Sequence, residues 1–127
     1  MENRYLFRGK TIRGDWVRGL LASKDNKWYI GNKVGRPLAF EIRPESICQC
    51  TGLKDKNGKL IFENDIMEAH IDEDFPEDVS RFKVEWNGKG WIENHPDGVD
   101  REYLDDFDTE HFKVVGNIFD NPELLEV

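Results

Sequence analysis

No apolar run in this 127-residue sequence approaches the ~20 residues that a membrane-spanning helix requires. The opening segment MENRYLFRGK lacks the apolar stretch of a secretory signal, so a cytoplasmic protein with no membrane contact is expected. Cysteine is scarce: Cys48 and Cys50 stand one residue apart. On a strand two such side chains share a face and lie too close along the chain for an easy disulfide, so reduced thiols are expected. The pair also lacks the spacing and the second ligand pair of a zinc site. The histidines His70, His95 and His111 are scattered, and no metal or other cofactor is expected. Neither G-x-G-x-x-G nor G-x-x-x-x-G-K-[ST] occurs, which removes the usual phosphate-cradling loops. Ser23, Ser46 and Ser80 sit in no G-x-S-x-G elbow, and the acidic runs lack the alternating ligands and central glycine of an EF-hand. With no catalytic motif in view, a non-enzymatic protein is expected.

Charge and aromatic residues are what the sequence does have. Charged side chains make up 35% of it, against 38% hydrophobic, but four Trp, three Tyr and eight Phe supply large apolar surfaces for an ordered core. The net charge of -8 is unevenly spread. Residues 1–66 hold 13 Lys+Arg and 8 Asp+Glu, a net of +5, and the remainder carries a net of -13. Such asymmetry suits an acidic face that attracts a basic partner, or the basic half of another copy. The acidic candidates are Asp72, Glu73, Asp74, Asp105 and Asp106. In the basic half Arg8, Arg13 and Arg18 are interleaved with Tyr5, Phe7 and Trp16, a pattern that also suits a single nucleic-acid strand. Against that, a protein of net -8 is repelled by phosphate at long range.

Period-two alternation broken by Gly, Asn, Asp and Pro dominates the chain and predicts strands. They are expected at Arg4–Arg8, Asp15–Ala22, Lys27–Ile30, Leu38–Arg43 and Ile47–Cys50, then at Lys59–Phe62, Ile66–Ile71, Arg81–Trp86, Trp91–Glu93 and His111–Phe119. Turns are predicted at Asp25-Asn26, at Asn57-Gly58 and at Asn87-Gly88-Lys89-Gly90. Glu63-Asn64-Asp65 reads as a bend in which Asn64 tolerates a left-handed conformation. Asp100–Phe107 is the best helix candidate, with Asp100 as cap. Asn121-Pro122 opens a last helical turn, with Pro122 at its first position. The expected fold is mainly β with minor α: a small bent sheet or SH3-like barrel with one or two short helices, in a single domain that could hold two sheet lobes, 1–50 and 51–127. Leu53, Leu60, Phe62, Ile66, Ile118 and Leu125 are expected in the core.

Two stretches carry a family resemblance. IRPESICQCTGLKDKNGKLIFENDI (Ile42–Ile66) and VVGNIFDNPELLE (Val114–Glu126), in this order and at this spacing, resemble the signature of the YopX family of bacteriophage and prophage proteins. Relatives usually read Glu-Gly-Asp where this chain has Glu63-Asn64-Asp65. The resemblance implies a mainly β protein encoded by a phage or prophage, resident in a bacterial host cell and self-associating. It supplies no catalytic residues. The expectation is an accessory protein that binds a host or phage protein, or assembles with itself. The alternative is a nucleic-acid-associated regulator that uses the N-terminal basic-aromatic strands.

Overall fold

The computed structural model describes residues 5–31, 38–70, 74–75, 77–96 and 101–126. It is mainly β, with two antiparallel sheets, one short helix and isolated 3-10 turns. Contacts divide the chain into two compact units, Met1–Gly52 and Leu53–Val127.

The first unit contains β1 (Phe7–Lys10), β2 (Trp16–Lys24), β3 (Lys27–Gly31), β4 (Phe40–Ile42) and most of β5 (Cys48–Lys54), with a 3-10 turn at Pro44–Ser46. Its strand order is β4-β3-β2-β1-β5. Asp25 and Asn26 join β2 to β3 with φ of 53° and 65°. Both central residues are left-handed, the geometry that a two-residue hairpin needs to match strand twist. Ile30 and Ile42 are fully buried among these strands. Gly9 leaves the room that Ile42 fills. Buried Ser46 ties the 3-10 turn to β1, its Oγ accepting from the Lys10 N–H at 2.7 Å. Cys48 and Cys50 are buried.

The second unit opens with the hairpin that leads into β6 (Leu60–Phe62) and continues through β7 (Asp65–His70), β8 (Val79–Trp86), β9 (Trp91–Asn94), β10 (Arg101–Tyr103), helix α1 (Asp106–His111) and β11 (Lys113–Asn117). A 3-10 turn at Pro122–Leu125 follows. Its sheet runs β10-β9-β8-β7-β11. Met67, Phe82 and Val84 alternate onto one face and bury with Ile61, Ala69 and Phe112, against which Trp91, Leu104 and Val114 pack. Phe82 and Phe112 meet edge to face at 4.9 Å.

The sheets are open, so the SH3-like barrel does not form. Closure would need the outer edge of β11, and the turn before β6 occupies it. The Val114 N–H donates to Asp55 Oδ2 and the Lys56 N–H donates to the Phe112 carbonyl. The helix is also displaced. Arg101–Tyr103, expected to be helical, extends the sheet beside β9, and α1 starts only after Asp105; Asp100 lies outside the described residues. The decisive feature is a reciprocal cap. Asp105 Oδ1 accepts from the Asp108 N–H at 3.0 Å, and Asp108 Oδ2 accepts from the Asp105 N–H at 3.1 Å. Of the expected core, Phe62 and Ile66 are fully buried. Leu60, Ile118 and Leu125 are half-buried. Leu53 is 38% exposed, out of phase with the inward positions Cys48 and Cys50 of its strand.

Candidate functional site

On β1 and β2, Arg8 is opposite Arg18 and Lys10 is opposite Trp16, so all four side chains share one face. The Arg8 guanidinium lies 4.9 Å from the centre of the Trp16 ring and the Lys10 ammonium 5.4 Å from it. These are cation–π distances. Arg8 is only 8% exposed, whereas Arg18 is exposed and Leu20, next on the same face, is 49% exposed. Ala22 and Tyr29, paired across β2 and β3, extend the face. Arg13 does not belong to it. Arg13 sits in the turn between β1 and β2 and lines a cavity of about 320 Å³ with Ile12, Asp15, Val17, Phe40 and Glu41. The sheet therefore gathers a basic-aromatic surface around Trp16 from two of the three expected arginines, with Lys10 as the third cation.

Of the acidic candidates, three fall within the described residues. Asp72 and Glu73 lie outside the described residues, and Asp74 is exposed. Asp105 is the cap of α1 and Asp106 is exposed in its first turn. Two carboxylates that the sequence does not single out, Glu93 and Asp108, are buried. Glu93 is 8% and Asp108 7% exposed. Glu93 Oε1 is 3.0 Å from His95 Nε2, and the His95 ring lies 5.5 Å from that of Phe82. Burial, then the hydrogen bond to Glu93, pushes the Asp108 carboxyl up to about 7, against the lowering effect of its backbone hydrogen bond at Asp105. A signal existed in the sequence: Glu93 is in phase with inward-facing Trp91 on β9.

His95 also lines a cavity of about 340 Å³ with Ser80, Arg81, Pro96, Leu124 and Glu126. No hydrogen bond joins Ser80 to His95, so a nucleophile and base are not paired there. Among the described residues no three His, Cys, Asp or Glu side chains are arranged to hold a metal, and no helix is long and apolar enough to cross a membrane.

The predicted turn residues form a compact knot in the second unit. Gly58 has φ of 82° and Asn64 of 69°. Asn57, in contrast, is not left-handed, and donates its N–H to Asp55 Oδ1 at 2.9 Å. Asp55 Oδ1 also accepts from the Lys59 N–H, and its Oδ2 from that of Val114, both at 2.9 Å. The Asn64 N–H donates to the Val84 carbonyl, and its carbonyl accepts from the Ile118 N–H. Pro122 starts the last 3-10 turn, but the Asn121 side chain accepts from the Asn117 N–H rather than from that turn. Gly116 leaves the space that Asn121 occupies. The segments around Asp55–Asp65 and Val114–Asn121 are thus bonded to each other.

The sequence profile of the YopX protein family matches residues 10–126. The chain belongs to the YopX family. Among solved structures, this YopX chain is similar to the crystal structure of protein EF1440 from Enterococcus faecalis, with a TM-score of 0.54 and 24% identity over 94% of this chain and 96% of that one. That likeness concerns the fold. No curated protein matches the chain at a significant level. The bonded segments of the knot fall within the two stretches that carry the family resemblance.

Proposed function

We propose that this YopX protein is a non-enzymatic accessory protein of a phage or prophage that acts in the host cytoplasm by binding protein. The first unit offers its basic-aromatic sheet face to an acidic partner, a second copy of the chain included. The observation that supports this is the convergence of Arg8, Lys10, Arg18 and Trp16 on one face of β1 and β2, continued by exposed Leu20. Exposed arginine beside a large ring and an uncovered leucine is the composition of interface centres. The charge of the chain is complementary to itself: +5 over residues 1–66 and -13 over the rest.

The same face supports a second reading, a nucleic-acid-associated regulator with Trp16 as a stacking platform. Arg8 counts against it, since a guanidinium 8% exposed and laid over Trp16 has little surface left for phosphate. Capture of tagged protein from host lysate, with and without nuclease, separates the two. A protein partner retained after nuclease supports the first reading. Recovery that disappears with nuclease supports the second.

A further inference from the structure

Asn-Gly occurs twice in the chain, at Asn57-Gly58 and at Asn87-Gly88. In this dipeptide the backbone nitrogen of glycine can reach the carboxamide carbon of the asparagine before it, since no Cβ stands in the way. Both pairs lie exposed in hairpin turns, and both glycines are left-handed, with φ of 82° at Gly58 and 92° at Gly88. Nothing lies within 4 Å of the position that a Cβ would take at either. What differs is the hold on the asparagine side chain. Asn87 Oδ1 accepts from the Lys89 and Gly90 N–H groups, both at 2.9 Å, and Asn87 Nδ2 is 3.5 Å from Tyr103 Oη. Asn57 bonds through its backbone instead: its N–H donates to Asp55 Oδ1 at 2.9 Å, and among the described residues its carboxamide makes no hydrogen bond.

We propose that Asn57 is a site of spontaneous covalent modification, converting to aspartate and isoaspartate through a succinimide, and that the fold protects Asn87 from the same reaction. The Gly58 nitrogen loses its proton and bonds to Asn57 Cγ. The Cγ–Nδ2 bond breaks, and the nitrogen leaves as ammonia after taking up a proton. Water then opens the ring at either carbonyl. Breaking the new C–N bond gives aspartate, and breaking the original peptide bond gives isoaspartate. One water is consumed and one ammonia released, with no oxidant or reductant. Ring closure at Asn57 needs one exposed turn bond to open, from the Gly58 N–H to the Asp55 carbonyl at 2.9 Å. At Asn87 the carboxamide must first swing out of the two backbone bonds that hold its Oδ1. Exposed Lys56 and Lys59 flank the first site, and their positive charge favours the deprotonated nitrogen that attacks.

The product acts beyond the turn. Asp55 Oδ1 accepts from the Asn57 and Lys59 N–H groups, and Asp55 Oδ2 from that of Val114. Isoaspartate carries the chain through its side chain, which adds one backbone carbon between the first two of those N–H groups. Its carboxylate also adds a negative charge close to buried Asp55. Both changes work against the Asp55 bonds, so the tie between the turn and β11 weakens as the protein ages.

The test is incubation of the intact chain at pH 8 and 37 °C, with digestion and mass spectrometry of the two Asn-Gly peptides at intervals. Asn57 is expected to convert at least about tenfold faster than Asn87. Isoaspartate in the product is identified by methyltransferase labelling. In concentrated urea, where the turns are lost, the two rates should converge. Hydrogen exchange at the Val114 N–H should be faster in the aged chain than in the fresh one. Asn57→Gln, which closes a larger ring far more slowly, should keep both its mass and its Val114 protection on ageing. An Asn57 that stays intact, an Asn87 that converts as fast in the folded chain, or a difference that persists unchanged in urea overturns the assignment. Val114 exchange that is the same in fresh and aged chains overturns the link to β11.

Discussion

A Cβ added to Gly19 would run into the backbone of Gly31, a neighbour that has no rotamer with which to yield. Gly19→Ala should therefore destabilise the first unit by about 1–3 kcal/mol, read from chemical denaturation midpoints. Gly58 is a different case. Nothing lies near its missing Cβ, and only its φ of 82° restricts substitution. Gly58→Val should lower the melting temperature, at a cost of about 1–2 kcal/mol. Gly58→Asn should cost far less, and an unchanged melting temperature in the valine variant would refute the turn assignment. Asn64→Gly should be tolerated, since φ of 69° suits glycine. Asp55 has a larger role than a turn residue. One buried carboxylate serves three backbone N–H groups from two segments, and Asp55→Ala should cost about 2–3 kcal/mol.

Strands and turns were the legible elements because their signals are local. Alternation in RFKVEW and the left-handed tolerance of Asp25, Asn26, Asn64 and Gly58 are properties of adjacent residues. The helix was misplaced because its start depends on Asp105 and Asp108 bonding to each other, and the stretch before it is claimed by an edge pairing with β9. Neither fact is visible in DREYLDDF alone. The barrel failed for a similar reason: the competitor for the β11 edge is Asp55, 59 residues away from Val114. Buried Glu93 and Asp108 were hidden in the same way, although the phase of Glu93 with Trp91 hinted at the first. Asp108 carries a pH prediction at this scale. The proton binds the folded chain more tightly than the unfolded one, so its stabilisation is complete below the ordinary carboxylate range. That stabilisation is lost as the pH rises through about 7, by at most about 1.4 kcal/mol per unit. The melting temperature of Asp108→Asn should gain on that of the wild type between about pH 4 and pH 7 and run parallel to it above. A constant gap across that range would contradict the assignment.

At the scale of the whole molecule, charge is the organising quantity. A chain that is +5 over one half and -13 over the other should attract itself head to tail when counterions are few. Its average mass in sedimentation should fall as salt rises from low to ~0.5 M, beyond which the Debye length is only a few ångströms. A mass independent of salt would point to an apolar contact instead. Arg18 and Lys10 are the substitutable cations of the basic-aromatic face, because neither supports the core as buried Arg8 does. The most direct measurement is nuclease-treated capture from host lysate with the wild-type chain beside a Lys10→Glu/Arg18→Glu variant shown to be folded. A protein partner, or the chain itself, is expected to stay with the wild type after nuclease and to be lost from the variant. Equal recovery by both, or no protein partner once nucleic acid is removed, would contradict it.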